Sequence, residues 1–210
     1  MKTIITLVVL ASITIAQEAY KIPFASTGNS IELTVANIAS VAATRVTAEA
    51  SDPPSWVKFD QRITAFEQLG PQEEKQATFT FSIDKLAPVN KEQALSFVVK
   101  SRTGESWTKE IKIQVSPPDK FELFQNYPNP FNPTTTICYQ LTNDSKVNLK
   151  VYNLLGQEVA TLVDGEKQAG YHQEVLNANR LASGMYIYRI VYASQLGKQS
   201  SAQKTMVVVK

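Results

Sequence analysis

The sequence has few of the side chains that most often perform chemistry. Among its 210 residues there is one cysteine, Cys138, and one histidine, His172. A single cysteine cannot form a disulfide within the chain, and Cys138 lies in an apolar run where a buried, unreactive thiol is expected. Without His or Cys before residue 118, zinc ligand sets and Ser/His or Cys/His nucleophile arrangements are excluded there. We therefore predict no metal, no cofactor and no catalytic residue.

A strong charge of one sign is also absent. The 21 Lys and Arg residues nearly balance the 19 Asp and Glu residues, which leaves a formal net charge of +2. Binding to nucleic acid depends on basic residues clustered against phosphates, so no nucleic-acid partner is predicted. The adjacent carboxylates Glu73 and Glu74 point to opposite faces if they lie on a strand, and they cannot then act together on one bond.

Long apolar runs are absent except at the N-terminus. Lys2 precedes an apolar run over residues 4–15, and Thr14 and Ala16 supply small side chains at its end, a pattern typical of a secretory signal peptide. The run is shorter than the roughly twenty residues that cross a bilayer. We predict a signal peptide over residues 1–16, a mature N-terminus at Gln17 and no transmembrane segment after cleavage.

Apolar and polar residues alternate with period two from residue 18 to residue 115. This alternation is typical of short strands with one buried side. The apolar positions of four such segments are Ile31, Leu33 and Val35; Phe79, Phe81 and Ile83; Leu95, Phe97 and Val99; and Ile111, Ile113 and Val115. Two stacked sheets bury all of these sides at once. We predict an immunoglobulin-like β-sandwich of seven or eight strands over residues 17–117.

Prolines concentrate between the two halves of the chain. Five of the ten prolines fall within residues 117–133, where they remove backbone donors and favour an extended chain. We predict a domain boundary with a linker over residues 118–126. Strand patterns resume over residues 127–210, and the five glycines of this half are expected at breaks between strands. The predicted fold is therefore all-β, with two consecutive immunoglobulin-like antiparallel β-sandwiches after a signal peptide.

One segment is more specific than the strand patterns. Residues 126–137 read NYPNPFNPTTTI. Asn-Pro pairs hold the chain extended and place side-chain amides near backbone groups that need partners. Tyr127 and Phe131 are expected to pin this segment to the sandwich.

The segment resembles the opening motif of the type A C-terminal sorting domain of Bacteroidetes-type type IX secretion substrates. The resemblance continues through VYNLLGQEV, the Gly170-Tyr171 turn, SGMYIYRI and the terminal KTMVVVK. The residues that we assign to the sorting motif are Asn126, Tyr127, Pro128, Asn129, Pro130, Phe131, Asn132, Pro133, Gly156, Gly170, Gly184, Tyr186, Lys204 and Lys210.

The resemblance implies a route of export. A signal peptide delivers the protein to the periplasm, and an outer-membrane translocon recognises the folded C-terminal domain. A protease of the same system removes that domain, and the product is released or joined to surface polysaccharide or lipopolysaccharide. The expected location is the cell surface or the medium.

Three hypotheses remain for residues 17–117. A non-catalytic role in adhesion, surface structure or assembly predicts an apolar or edge-strand contact surface. A carbohydrate-binding module requires Trp56 or Trp107 to be exposed beside polar groups, and a hydrolase requires an acidic pair in a cleft. We favour the first, with no enzymatic activity. A weak resemblance of residues 35–71 to accessory immunoglobulin-like or fibronectin-like bacterial surface modules concerns the fold and identifies no ligand.

Overall fold

The computed structural model describes residues 4–8, 18–102, 104–194 and 199–210. These residues form strands, turns and bends, and no helix is found among them that is long and apolar enough to cross a membrane. The chain divides into two compact units, Met1–Ser116 and Pro117–Lys210, named here the N-terminal unit and the C-terminal unit.

The predicted signal peptide lies mostly outside the described residues. Of residues 1–16, the segment Ile4–Val8 is described as a strand, β1, which pairs in parallel with the strand Asn29–Ala36. The predicted cleavage position between Ala16 and Gln17 lies outside the described residues.

Two sheets form the N-terminal unit. Its strands are β1 (Ile4–Val8), β2 (Tyr20–Ile22), β3 (Asn29–Ala36), β4 (Ala43–Ser51), β5 (Val57–Phe59), β6 (Ile63–Leu69), β7 (Glu74–Ile83), β8 (Glu92–Lys100) and β9 (Ser106–Val115). One sheet has the order β1-β3-β7-β5 and the other β2-β9-β8-β4-β6. Pairing is antiparallel except for β1 with β3 and β2 with β9. The predicted β-sandwich is confirmed, with eight strands between Tyr20 and Val115.

The core of the N-terminal unit consists of the residues that alternation assigns to it. Ile31, Phe79, Phe81, Leu95 and Ile111 are among its fully buried side chains. Full burial of a side chain of this size contributes about 1.5–3 kcal/mol. The polar residues between them face outward, so each strand is half-buried, as the period-two pattern predicts.

Two further sheets form the C-terminal unit. Its described strands are β10 (Glu122–Leu123), β11 (Thr134–Leu141), β12 (Ser145–Asn153), β13 (Glu158–Lys167), β14 (Gly170–Asn177), β15 (Gly184–Ser194) and β16 (Gln199–Val208). The orders are β10-β11-β14 and β13-β12-β15-β16. A core that includes Tyr139, Leu149, Val151, Tyr188 and Met206 is enclosed by these sheets.

The predicted linker is shorter than residues 118–126. Glu122 and Leu123 form β10, whose partners in β11 are Gln140 and Tyr139. Leu123 is buried, and Asn126 is almost completely enclosed. The second half of the predicted linker therefore belongs to the C-terminal sandwich. Its sequence has no strand pattern, but its backbone pairs with β11 and the Leu123 side chain is buried.

Two other expectations for the C-terminal half are wrong. Gly165 does not lie at a break; it is inside β13 and pairs with Val147, because β12 and β13 form a long hairpin with irregular register near Leu149. Cys138 is partly exposed rather than buried. It pairs with Gln173 on the outer side of β11, since the buried positions of that strand are the odd-numbered residues on either side.

Candidate sorting site

Asn126 is the buried anchor of the NYPNPFNP segment. Its backbone N–H donates to the Tyr188 hydroxyl at 3.0 Å, and that hydroxyl donates to the Phe124 carbonyl at 2.8 Å. The Asn126 side-chain amide donates to the Pro128 carbonyl at 3.1 Å and to the Thr135 hydroxyl at 2.9 Å. The predicted role of the asparagine amides is thus present in the structure, because a polar side chain buried here must find such partners.

Asn129 and Phe131 close the edge of β16. The Val207 N–H donates to the Asn129 side-chain oxygen at 2.9 Å, and the Phe131 N–H donates to the Val207 carbonyl at 3.1 Å. The Val209 N–H then donates to the Phe131 carbonyl at 3.0 Å. The Phe131 ring is buried in the core of the C-terminal unit. The motif therefore ties the first part of the sorting domain to the last strand of the chain.

Tyr127 does not pin the motif to the sandwich. Its backbone exchanges two 3.0 Å hydrogen bonds with Thr136, yet its side chain is 82% exposed. The bridge places Tyr127 in line with an outward-facing position of β11, so its ring points away from the core. Of the two aromatic residues expected to pin this segment, only Phe131 does so.

The Asn153–Gln157 turn is built by one asparagine. The Asn153 side-chain oxygen accepts the N–H groups of Leu155 and Gln157, each at 3.0 Å, and its amide donates to the Gln157 side chain at 2.8 Å. Gly156 has a φ of 78°, in the left-handed region that favours glycine. This turn holds Leu154 and Leu155 in solvent.

The remaining sorting-motif residues lie at strand starts, in β15 and β16, and in segments outside the strands. Gly170 and Gly184 begin β14 and β15. Tyr186 is buried and donates from its hydroxyl to the Ala182 carbonyl at 3.0 Å. Lys204 pairs with Tyr188 in the ladder, and the Lys210 ammonium donates to the Asn179 carbonyl at 3.0 Å. Pro128, Pro130 and Asn132 are exposed, and the carbonyl of Pro133 accepts the Ala178 N–H at 2.8 Å.

Tyr188 and Thr135 were not identified from the sequence, although they complete the Asn126 anchor. Burial raises the pKa of Tyr188 to about 12, although the hydrogen bond from the Asn126 N–H lowers it. The Tyr188 hydroxyl therefore stays protonated near neutral pH. The alternation of Tyr186, Tyr188 and Ile190 in β15 could have indicated an inward-facing tyrosine. Its partner could not be found from the pattern, because Asn126 lies 62 residues away.

A second buried tyrosine provides a contrast. Tyr139 stacks on His172, with ring centroids 5.1 Å apart, and its hydroxyl finds no hydrogen-bond partner among the described residues. Burial, with a further effect of the Glu174 carboxylate, raises the pKa of Tyr139 well above its usual range. His172 itself contacts the Gln168 carbonyl through Nε2 at 2.8 Å. Its surroundings are those of a packed strand residue.

This contrast gives a testable prediction. Tyr188→Phe is expected to destabilise the C-terminal unit by about 1–3 kcal/mol, because it leaves the buried Asn126 N–H and the Phe124 carbonyl without their partner. Tyr139→Phe removes a buried hydroxyl that has no partner, and it is expected to be neutral or stabilising. Urea unfolding of both variants, followed by tyrosine fluorescence, compares them. Equal losses of stability would show that the Tyr188 hydroxyl does not anchor the motif.

In the N-terminal unit, the two tryptophans have different surroundings. Trp56 is half-buried and packs against the core, and its carbonyl accepts the Asp84 N–H at 2.8 Å. Trp107 is 50% exposed on β9. It borders a cavity of about 310 Å³ whose lining is mainly apolar and includes Val35, Leu69 and Val99.

Asn37 shapes the rim of this cavity. Its amide nitrogen lies 2.9 Å from the carbonyls of Val41 and Gly70, and its side-chain oxygen accepts the Ala39 N–H at 3.1 Å. These contacts occupy the Asn37 side chain. Glu105 is the one carboxylate in the described lining of the cavity.

The adjacent carboxylates Glu73 and Glu74 have different surroundings. The Glu73 carboxylate accepts the Gly70 N–H at 2.5 Å and lies 3.4 Å from the Lys75 ammonium. The hydrogen bond from Gly70 is the main cause that lowers the pKa of Glu73. Glu74 begins β7 opposite Ala36. Across the part of the chain that the structure describes, no three His, Cys, Asp or Glu side chains come together as a metal site would require.

Comparisons with solved structures give low similarity. Dimeric latent PorU from Porphyromonas gingivalis is 14% identical with a TM-score of 0.36; the match covers 94% of this chain and 19% of that one. The CupB2 chaperone of Pseudomonas aeruginosa is 10% identical with a TM-score of 0.28, and the match covers 90% and 98% of the two chains. This chain therefore spans about a fifth of the length of the PorU chain. No curated protein matches the sequence.

The family comparison is specific to the C-terminal unit. Residues 125–208 match the sequence model of the family described as "Secretion system C-terminal sorting domain". The matched segment begins one residue before the Asn126 anchor and ends at the last residue of β16. It includes the edge closure by Asn129 and Phe131, the Asn153–Gln157 turn and strand β15. Residues 125–208 of this chain therefore form a C-terminal sorting domain of the type IX secretion family.

Proposed function

We propose that the N-terminal unit is a non-catalytic binding module, acting in adhesion, surface structure or assembly, which the sorting domain sends out of the cell. Delivery rests on the family match at residues 125–208, since a sorting domain of this kind implies type IX export to the cell surface or the medium. Contact with the type IX translocon follows from the same match. What the delivered unit does there is the part that we propose.

The exposed apolar side chains beside Trp107 carry this proposal. Ile38 and Val41 are both largely exposed, and the loop that contains them is held by Asn37. Ile38 and Trp107 both line the 310 Å³ cavity. Large apolar side chains that share one rim favour a protein-contact surface, and tryptophan is one of the side chains enriched near the centre of such contacts.

The chemistry of the cavity supports binding rather than catalysis. General acid-base hydrolysis needs two ionisable groups within reach of one bond, with separated pKa values. Glu105 is the single ionisable side chain in the described lining, and neither Glu73 nor Glu74 is part of it. The apolar walls favour an apolar side chain of a partner as the occupant.

Carbohydrate binding through Trp107 is the second candidate. It is favoured by the exposed ring of Trp107, with Glu105 and Ser101 nearby in the lining. Trp56 supports it less, because its ring packs partly against the core. Sugar recognition combines ring stacking with several polar contacts, whereas most of this lining is apolar.

A binding measurement on intact cells tests the proposal. Trp107→Ala is expected to weaken the binding of the mature protein to washed producer cells by about thirtyfold, the effect of losing a contact worth about 2 kcal/mol. Leu86→Ala is the matched control, since Leu86 is an exposed apolar residue outside the cavity lining. Thermal unfolding of both variants establishes that they remain folded.

Purified surface polysaccharide separates the two candidates. Binding through a protein partner continues when the polysaccharide is added in excess, whereas binding to carbohydrate is lost. Unchanged binding of Trp107→Ala would contradict both candidates. Release of new reducing ends from the polysaccharide would contradict the non-catalytic assignment.

A further inference from the structure

Strand β1 closes one edge of the N-terminal unit. It pairs in parallel with β3 along its whole length, from Ile4 opposite Ser30 to Val8 opposite Thr34. The sheet continues with β7 and β5 on the other side of β3, so β1 is the described strand that covers the outer side. With β1 in place, every residue of β3 is buried or half-buried. The outer edge of β3 is therefore covered in the full-length chain.

The residues of β1 lie inside the predicted signal peptide. Residues 1–16 are expected to be removed on export, and their removal leaves β3 as an edge strand. In an antiparallel pair such as β3 with β7, alternate residues direct their backbone N–H and C=O groups away from the partner strand. Cleavage thus uncovers a row of backbone donors and acceptors, which is a template for pairing with another strand.

Strand β3 is long and has little protection against such pairing. Edge strands that stay unpaired are usually very short or carry lysine or proline. Two other edge strands of this unit, β2 and β5, have three residues each, whereas β3 has eight and contains neither lysine nor proline. Strand β6 is also long, but it is an open edge in the full-length chain as well, and most of its residues are exposed. Among the described strands, β3 is the long edge that cleavage opens.

The sequence of β1 shows what kind of segment this edge accepts. It reads IITLV, with four aliphatic residues, one threonine and no charge, and these residue types favour a strand. We propose that the edge of β3 in the mature protein binds an extended, uncharged aliphatic segment of another polypeptide, which adds to the sheet as a parallel strand in the place of β1. This inference rests on the predicted cleavage between Ala16 and Gln17, and it adds a second contact to the binding module proposed above.

The same register leads a longer segment to the cavity beside Trp107. β1 ends opposite Thr34, and the next two residues of β3 are Val35 and Ala36. Both of these residues line the cavity. A partner segment that continues for two residues beyond the position of Val8 lies opposite them. The backbone pairing and the apolar contact are thus continuous, which favours a polypeptide partner over a sugar.

Binding of a synthetic peptide tests the inference. The probe is a fluorescently labelled peptide with the sequence of residues 2–9, KTIITLVV, and the protein is the mature chain from Gln17 to Lys210. Fluorescence anisotropy should show saturable binding to the mature chain. Binding to a chain that retains residues 1–16 should be at least about tenfold weaker, because β1 then competes from within the same molecule. Absence of binding to the mature chain, or equal binding to both chains, would contradict the inference.

Methylation of the peptide backbone distinguishes strand addition from non-specific apolar contact. Alternate residues of a strand at a sheet edge bond to the neighbouring strand, and the residues between them point away. One peptide carries N-methyl groups on residues 4 and 6, and its matched control carries them on residues 5 and 7. One of the two is expected to bind at least about tenfold more weakly than the unmodified peptide, and the other to bind like it. Equal affinities of the two methylated peptides would overturn the pairing mode.

An exchange of charges tests the register. Glu32 of β3 lies opposite Thr6. A Thr6→Glu peptide is expected to bind about threefold more weakly than a Thr6→Lys peptide, because like charges on neighbouring strands repel. In the Glu32→Lys protein this order should reverse, whereas Glu67→Lys, the same substitution on edge strand β6, should keep the original order. An order that stays the same in a folded Glu32→Lys protein would show that the peptide does not occupy the position of β1. The methylated peptides use the wild-type protein, so their result does not depend on the folding of this variant.

Two further results would assign the edge differently. A dimer of the mature chain that the peptide dissociates would assign β3 to pairing with a second copy and overturn the inference. Exported protein that retains residues 1–16, detected by mass analysis of its N-terminus, would make β1 a permanent strand and would overturn it as well. The Trp107→Ala measurement on cells is independent of both results, so the strand site and the proposed contact at Trp107 can fail separately.

Discussion

Deleting residues 120–210 is expected to leave a folded N-terminal unit that stays in the periplasm. Each unit has a core of its own, and the described buried residues of the N-terminal core run from Ile22 to Val115. The Ser116 N–H donates to the Ile22 carbonyl at 2.9 Å, so the last backbone contact of this sandwich comes before the deletion. A unit with a hydrophobic core of its own is expected to fold without its neighbour.

Two measurements check this expectation. Thermal unfolding of the truncated protein should give one cooperative transition, and cell fractionation should recover it with periplasmic markers. Loss of cooperative unfolding would contradict the independence of the N-terminal unit. An undiminished amount on the cell surface would contradict the role of the sorting domain in export.

Phe131→Ala is expected to abolish export by unfolding the sorting domain. The Phe131 ring is buried in the core, and loss of a buried phenylalanine costs about 3–5 kcal/mol. That is a large fraction of the roughly 5–15 kcal/mol that stabilises a small domain. The substitution also weakens the segment that closes the edge of β16 through Val207 and Val209.

Tyr127→Ala is the control from the same motif. The Tyr127 side chain is 82% exposed, so its removal should change stability by no more than about 0.5 kcal/mol. Urea unfolding of the full-length protein measures both effects. A loss of stability for Tyr127→Ala as large as that for Phe131→Ala would contradict the assignment of Phe131 as the anchor.

The fold was predictable because the buried residues follow a simple period. Ile31, Phe79 and Ile111 lie in segments that alternate strictly, and each is fully buried in the sandwich. Alternation of this kind depends only on which side of a strand faces solvent and which faces the core. The NYPNPFNP segment was predictable as a sorting motif because the motifs that follow it resemble those of the sorting-domain family in order and spacing over the last ninety or so residues. The family match covers residues 125–208.

Features that depend on distant partners could not be predicted. Gly165 was expected at a break, but the long pairing of β12 with β13 carries it into a strand. Tyr127 was expected to pack, but its bridge to Thr136 turns the ring outward. Cys138 was expected to be buried, but its neighbours occupy the inward positions of β11. In each case the outcome depends on strand pairing and register, which a local pattern does not determine.

Surface labelling of the full-length chain, in cells with and without the type IX translocon, tests the central claim most directly. Residues 125–208 form a sorting domain, so the labelled protein should be abundant on the surface or in the medium when the translocon is present. Without the translocon, the same amount of protein should be found folded in the periplasm. Equal labelling in the two strains would contradict the account, because export would then not depend on the machinery that the sorting domain addresses.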